Sequence, residues 1–295
     1  MTKTRTPLLQ ATLCGLLATS IGCGEPEDAL LEDERIAEIT DNLLDAGYDA
    51  DDIELVDSAS DDGEFVTDVL LQGDLVIDLE ASREMVDENP NGLRQYRTTN
   101  LVKKKHKRIC LEKDSSGSDR WSNMKSWSTY KNLYNDALTQ AVSRLNDPDL
   151  KHPFTFKVSS SGCDARIKLK SLQGEVGGQA GFPSGGKPFH RVLIGAKLAK
   201  VLKEEVGVSN SAARKTIRHV ILHEVGHAMG FRHSDWGSRA SCPEQGNEGQ
   251  AGVGAVHIPN TPTNTSYVNS VMKACFGLES GNWTGSDVKA WKNTY

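Results

Sequence analysis

HEVGHAMGFRH, residues His223–His233, places three histidines and a glutamate within eleven positions. On a helix, residues four apart share a face, so His223 and His227 project side by side. Glu224 follows the first of them along the chain and reaches the same space from the neighbouring angle. Gly230 has no Cβ and can take positive φ, ending a helix and turning the chain so that His233 swings back toward the other two. HExxH alone arises by chance in many helices, as surface histidines with a helical salt bridge. The glycine and the third histidine at these offsets make a metal site the stronger reading.

Imidazoles at that spacing suit Zn2+. Three protein ligands leave a fourth position open for water, which separates a catalytic zinc from a structural one. Zinc lowers the pKa of its water from ~15.7 to ~7. Glu224, not itself a ligand, is placed to take the proton as general base and return it to a leaving amine. One catalytic Zn2+ on His223, His227 and His233 is the expected cofactor.

The N-terminus points to export. Lys3 and Arg5 precede an apolar run from Leu8 to Ile21, too short to span a bilayer as an ordinary helix. Residues 1–22 are read as a signal peptide. Ser20-Ile21-Gly22-Cys23 looks like a relaxed lipobox that would make Cys23 the lipidated first residue, although Ser20 replaces the usual leucine. Simple cleavage after Ala18-Thr19-Ser20 is the alternative. The chain is then an outer-membrane lipoprotein or a freely secreted protein. Past the signal, Cys110, Cys163, Cys242 and Cys275 suit two disulfides in an oxidising compartment. Pairing nearest neighbours gives Cys110–Cys163 and Cys242–Cys275; free buried thiols are the alternative, and no two stand at the short spacing of a cysteine zinc site.

The net charge of −6 hides two opposed halves. Residues 24–90 carry 24 acidic residues against Arg35 and Arg83, a net of −22. Residues 91–295 hold 16 acids and 30 bases, a net of +14. Tethered segments of opposite charge attract at high effective concentration. Ile36, Ile39, Leu43 and Leu44 recur at helical spacing before Gly47, and EFVTDVLLQGDLVIDLEAS alternates as two short strands around Gly73-Asp74. Residues 23–102 are therefore read as a small folded acidic segment. ENPNG at 88–92 is turn-rich, and KKKHKR at 103–108 is either an exposed linker open to trypsin-like processing or a charged surface strand.

Residues 103–295 form the second domain. Trp121 to Leu145 reads as a long helix with Tyr130, Leu133, Tyr134, Ala137, Leu138, Ala141 and Leu145 as its apolar stripe. FTFKV (154–158) and ARIKLK (165–170) alternate as strands, residues 174–188 are a Gly-rich connection, and FHRVLIGAKLA reads as a further strand. Ser209 or Asn210 can cap the motif helix, and Thr284 or Ser286 a terminal helix ending near Tyr295. There are no internal repeats and no transmembrane span.

HEVGHAMGFRH matches HExxHxxGxxH, the signature of the metzincin metallopeptidases, and Ser270-Val271-Met272 resembles their Met-turn. The FRHSD ending and the lipoprotein-like signal resemble the bacterial HEIGH-type metallopeptidases more than astacins or matrixins. The resemblance implies an α+β fold: a twisted mixed sheet over an active-site helix, then a C-terminal subdomain with the Met-turn and a final helix, all preceded by the small acidic pro-segment. It implies Met272 as a hydrophobic floor beneath the zinc; a plain core methionine is the alternative. It also implies an edge strand that pairs with extended substrate, for which 189–196 is the candidate. Astacins and serralysins place a tyrosine where Ala274 stands, so no tyrosine ligand is expected. Asp235 is read either as a hydrogen-bond partner of a ligand or of the mature N-terminus, or as a plain turn residue. No matrixin cysteine switch is present, and Cys110 in RICLEK is a poor substitute. Leu71-Gln72-Gly73-Asp74 resembles the astacin pro-segment motif whose aspartate ligates zinc, which makes Asp74 a candidate latch; a tight turn between strands is the alternative.

The remaining histidines carry no assigned role, with His219 placed at the surface or behind the site. The expected function is an exported zinc-dependent endopeptidase, a zymogen acting on protein or peptide through zinc-bound water activated by Glu224. Its rivals are a non-catalytic zinc-containing cell-surface module and a zinc hydrolase of cell-wall amides. A monomer is expected, with no nucleic-acid partner and no membrane contact beyond a lipid anchor. A net of +14 in the second half favours acidic proteins or anionic surfaces, and no carboxylate-rich loop there has a calcium spacing.

Overall fold

Alternating apolar residues at two distant parts of the chain build one eight-stranded mixed sheet. The computed structural model describes residues 27–45, 50–59, 65–71, 73–79, 82–83, 96–236, 239–243, 256–261 and 270–295. The export segment with Cys23, the stop at Gly47 and the ENPNG turn lie outside them. No described helix is long and apolar enough to cross a membrane.

The acidic segment supplies helix α1 (Glu27–Asp45) and strands β1 (Ile53–Ala59), β2 (Phe65–Leu71) and β3 (Leu75–Ile77). β1, β2 and β3 run antiparallel in sequence, with Gly73 at φ 82° in the turn between the last two. A short strand β4 (Tyr96–Arg97) pairs with β10 (Val256–His257) apart from the main sheet.

The second half contributes β5 (Arg108–Lys113), β6 (Thr155–Val158), β7 (Ala165–Leu172), β8 (Gly178–Gly181) and β9 (Arg191–Gly195). The full order is β1-β2-β3-β8-β9-β7-β5-β6. β6, β5, β7 and β9 are mutually parallel where they pair, β8 runs antiparallel to β9, and β3 pairs parallel to β8 through Leu75↔Ala180 and Val76↔Gly181. The acidic segment thus extends the sheet of the basic half instead of lying on it as a separate body.

Helix α2 (Trp127–Leu145) buries the whole predicted stripe. It begins at Trp127, not Trp121, because Ser126 sits at φ 56° and breaks the helix from a 3-10 turn at Trp121–Asn123. Helix α3 (Asn210–Ala228) is capped by Ser209, whose hydroxyl accepts from Ala212 N at 3.2 Å. α2 packs on α3, and α3 runs beneath β8 and β9. The main core gathers Ile109, Leu111, Ile167, Leu169, Val192 and Ile194 from the sheet against both helices. Helix α4 (Gly285–Thr294) starts at a Thr284–Asp287 capping box.

A second, smaller core lies in the acidic segment: Ile39 and Leu43 of α1 with Val69, Leu71, Leu75 and Ile77. Phe182, just past β8, is its one member from the basic half among the described residues. Asp68 of β2 and Arg191 of β9 form an ion pair across the two halves, with side chains 13% and 7% exposed. The disulfides are Cys110–Cys163 and Cys242–Cys275, the nearest-neighbour pairing.

One expectation is corrected. Residues 189–196 do not form an edge: β9 is paired on both sides, by β7 and β8. All five of its residues are buried, as an interior strand requires. The strand of the basic half that borders the acidic segment is β8, which lies inside the stretch read as a Gly-rich connection, and the free edge of that half is β6.

Candidate metal centre

α3 carries His223 and His227 on one face, and the chain turns at Gly230, whose φ is 102°. A Cβ there would stand 3.0 Å from both Asn100 O and Thr98 Oγ1, so the position requires glycine twice over. Gly230 N donates to His227 O at 2.8 Å and Phe231 N to Gly226 O at 3.0 Å, closing the helix. Residues 96–100 brace the turn: Thr98 N donates to Gly230 O, and Arg232 N to Tyr96 O. His233 then returns to the other two.

The three imidazoles are buried and converge. His223 Nε2 lies 3.0 Å from His227 Nε2 and 3.3 Å from His233 Nε2. His223 Nδ1 stands 2.9 Å from Val271 O and His227 Nδ1 2.8 Å from Phe231 O. A carbonyl only accepts, so both Nδ1 atoms carry the proton and both Nε2 atoms present lone pairs to a common point. Burial pulls His227 down to about 3, keeping it neutral at pH 7. Facing lone pairs at this distance repel, and a shared cation is what relieves them. The donor set therefore fits a divalent metal.

Two carboxylates complete the cluster. Asp74 enters from the β2–β3 turn with Oδ2 2.8 Å from His233 Nε2 and 3.7 Å from the Nε2 atoms of His223 and His227. The four candidate ligand atoms lie within 4.8 Å of one another. Burial raises the Asp74 carboxyl, but the charge on His233, whose Nε2 is the one within hydrogen-bond distance, outweighs it and holds the group well below the usual range. Glu224 is 2% exposed, and burial followed by the Asp74 charge pushes its carboxyl well above its ordinary value. Asp74 Oδ1 and Glu224 Oε2 are buried without hydrogen-bond partners. Buried acceptors are rarely left so, and a cation is one group that meets the deficit.

Glu224 lies against β8. A Cβ on Gly178 would stand 2.6 Å from Glu224 Cγ and 2.7 Å from Cδ, so only glycine lets β8 pass this close. Met272 sits beneath α3, with its sulfur against Gly226 and its terminal methyl 3.0 Å from where a Cβ on that glycine would be. The turn that carries it is held from two sides. Asp287 of α4 accepts from Ser270 Oγ and Val271 N, and Ser234 N donates to Met272 O at 2.6 Å. Asp235 accepts from Ala274 N at 2.8 Å and from Ser241 N and Oγ, tying the segment after His233 to the one after Met272. His219 is 2% exposed and its ring stacks on that of His223, which excludes the surface position. The sequence reading missed Gly178, Phe182 and the second role of Asp287; the Thr284–Asp287 capping box was its only visible trace of the last.

The profile of the dual-action HEIGH metallo-peptidases matches residues 69–295, and the chain belongs to that family. A metallopeptidase acts on protein or peptide. The matched region starts within β2 and so includes Asp74. No curated protein matches the chain.

Proposed function

We propose that this protein is an exported zinc endopeptidase of metzincin type, made with an acidic pro-segment that covers its own active site. The observation that carries the reading is the convergence of three buried imidazole Nε2 atoms beside the Glu224 carboxylate. His223, His227 and His233 would hold the metal. Zinc there would supply Lewis-acid chemistry, acidifying water and polarising the scissile carbonyl.

The chain's own groups do the rest. Glu224 takes a proton from the attacking water and delivers it to the leaving amine. Val271 O and Phe231 O fix two ring tautomers, and Met272 forms the floor as the Met-turn residue. Substrate lies extended along β8, whose glycines leave room for a backbone beside Glu224.

In the full chain that place is taken. β3 pairs with β8, and Asp74 stands where a fourth ligand would bind. The acidic segment is thus read as a latch that excludes both substrate and water. Tyr96–Val102 packs on the Gly230 turn, so we place the processing site upstream of Tyr96 and leave KKKHKR within the mature enzyme. Export, with lipidation at Cys23 or free secretion, rests on the signal segment alone.

The test is casein cleavage by the full chain before and after limited trypsin treatment, beside Glu224→Gln. Chelator-sensitive activity that appears on trimming and is absent from the variant supports the reading. Bound zinc with no cleavage in either state overturns it in favour of a binding module.

A further inference from the structure

Phe182 is 1% exposed, yet what buries it belongs to the acidic segment: it completes the small core of Ile39, Leu43, Val69, Leu71, Leu75 and Ile77. The same ring packs edge-on against His227, with centroids 5.9 Å apart and planes at 75°. One aromatic side chain therefore bridges the pro-segment core and a metal-site histidine, at the end of the strand that the pro-segment occupies.

β3 shows what a peptide on β8 does. Its side chains alternate, with Leu75 and Ile77 in the Phe182 cluster and Val76 in the main core. Its backbone comes so close at Gly181 that an added Cβ would collide with Val76 O and stand 2.7 Å from the Phe189 ring. Any extended peptide seated on β8 presents alternate side chains to the same place.

We infer that Phe182 is a specificity-determining residue: once the acidic segment leaves, its ring walls an apolar subsite beside His227 that takes an aliphatic substrate side chain, as it takes Leu75 and Ile77 now. The inference rests on the endopeptidase reading. It names the substrate class as extended peptides with leucine, isoleucine or valine at a fixed position, or at two alternate positions, on one side of the scissile bond.

The test gives the trypsin-trimmed full chain a peptide library and scores residue preference at the four positions on each side of the cut. Wild type is expected to favour aliphatic residues at one such position or alternate pair. Phe182→Ala should lower that preference by roughly tenfold or more. Phe182→Leu should keep the apolar preference and change its ranking. If Phe182→Ala does not fold, as judged by circular dichroism, the ranking change in Phe182→Leu decides. A second readout needs no turnover: a labelled synthetic peptide spanning Phe65 to Leu79 is bound to the trimmed Glu224→Gln protein. Leu75→Ser in that peptide should weaken binding to the Phe182 protein and have little effect with Phe182→Ala. Preference unchanged by both Phe182 substitutions, or equal effects of Leu75→Ser on both proteins, overturns the inference and leaves the peptidase reading intact. Absence of cleavage by trimmed wild type overturns the peptidase reading itself, and the inference falls with it.

Discussion

Gly178→Ala separates metal binding from catalysis more cleanly than replacing a ligand. The new methyl would collide with Glu224 Oε1 and stand 2.7 Å from Cδ, against the 3.4 Å at which ordinary contact begins, so the carboxyl group must retreat by at least about 0.7 Å. Glu224 is buried, and β8 is fixed by β9 on one side, so the side chain and not the strand is expected to give. Misplacing a catalytic group by ~1 Å costs on the order of 100-fold in rate, so kcat/KM of the trimmed enzyme should fall roughly 10- to 100-fold. Gly178 is not at positive φ, so alanine adds no backbone strain there and reduces the freedom of the unfolded chain. Stability should change little, and the ligand histidines are untouched. The assay pairs peptide kinetics with metal content by elemental analysis and a thermal melt. Activity within about threefold of wild type, in a variant that binds metal and melts normally, would show that Glu224 is not held by β8 as described.

Asp74→Ala removes one of the two contacts of the latch and leaves β3 on β8, so the untrimmed chain should gain measurable activity that stays below that of trimmed wild type; a variant as silent as the parent would remove Asp74 as part of the latch. Chelation should lower the melting temperature by roughly 5–15 °C, because it restores facing lone pairs among three buried imidazoles, and an unshifted melt would argue against a resident metal. Asp287→Ala leaves the buried N–H of Val271 and the half-buried N–H of Thr284 without their carboxylate and should cost roughly 2–4 kcal/mol in chemical denaturation, with activity lost through the Met272 turn. Asp164 is held down to about 2, from an ordinary 3.8, first by the Arg108 guanidinium and then by Arg108 N. A lowered carboxylate contributes stability that is full above the unfolded value and lost as pH falls toward the folded one. Wild type should therefore lose its advantage over Asp164→Asn between pH 3.8 and about 2, and a constant difference across that window would refute the assignment.

Where the sequence was legible, the signal was local. His223, His227, Gly230 and His233 sit at fixed offsets, so spacing alone located them, whereas Met272 was picked out only through the resemblance to a Met-turn. Period-two alternation around Gly73 exposed β2 and β3, and the stripe of α2 survived intact. β8 was invisible because Gly178-Gln179-Ala180-Gly181 has no alternation to detect. Its glycines answer to Glu224 and to an incoming backbone, both contributed by distant parts of the chain. The error over 189–196 had a readable cure: a run buried at every position belongs inside a sheet, and Val192-Leu193-Ile194 was already continuous and apolar. Phe182 looked like a loop aromatic between Gly181 and Pro183, and nothing in its neighbourhood forecasts a role in the core of a segment a hundred positions earlier.

That distance also sets an order of events. During synthesis the acidic segment emerges first, but it cannot finish its core until Phe182 arrives about a hundred residues later, because such non-local closure waits for its far end. β3 likewise has only β2 beside it, and an open second side, before β8 is laid down beside β9. On the reading proposed above, the cover is assembled by the very surface it protects, so it closes last, over a site already built.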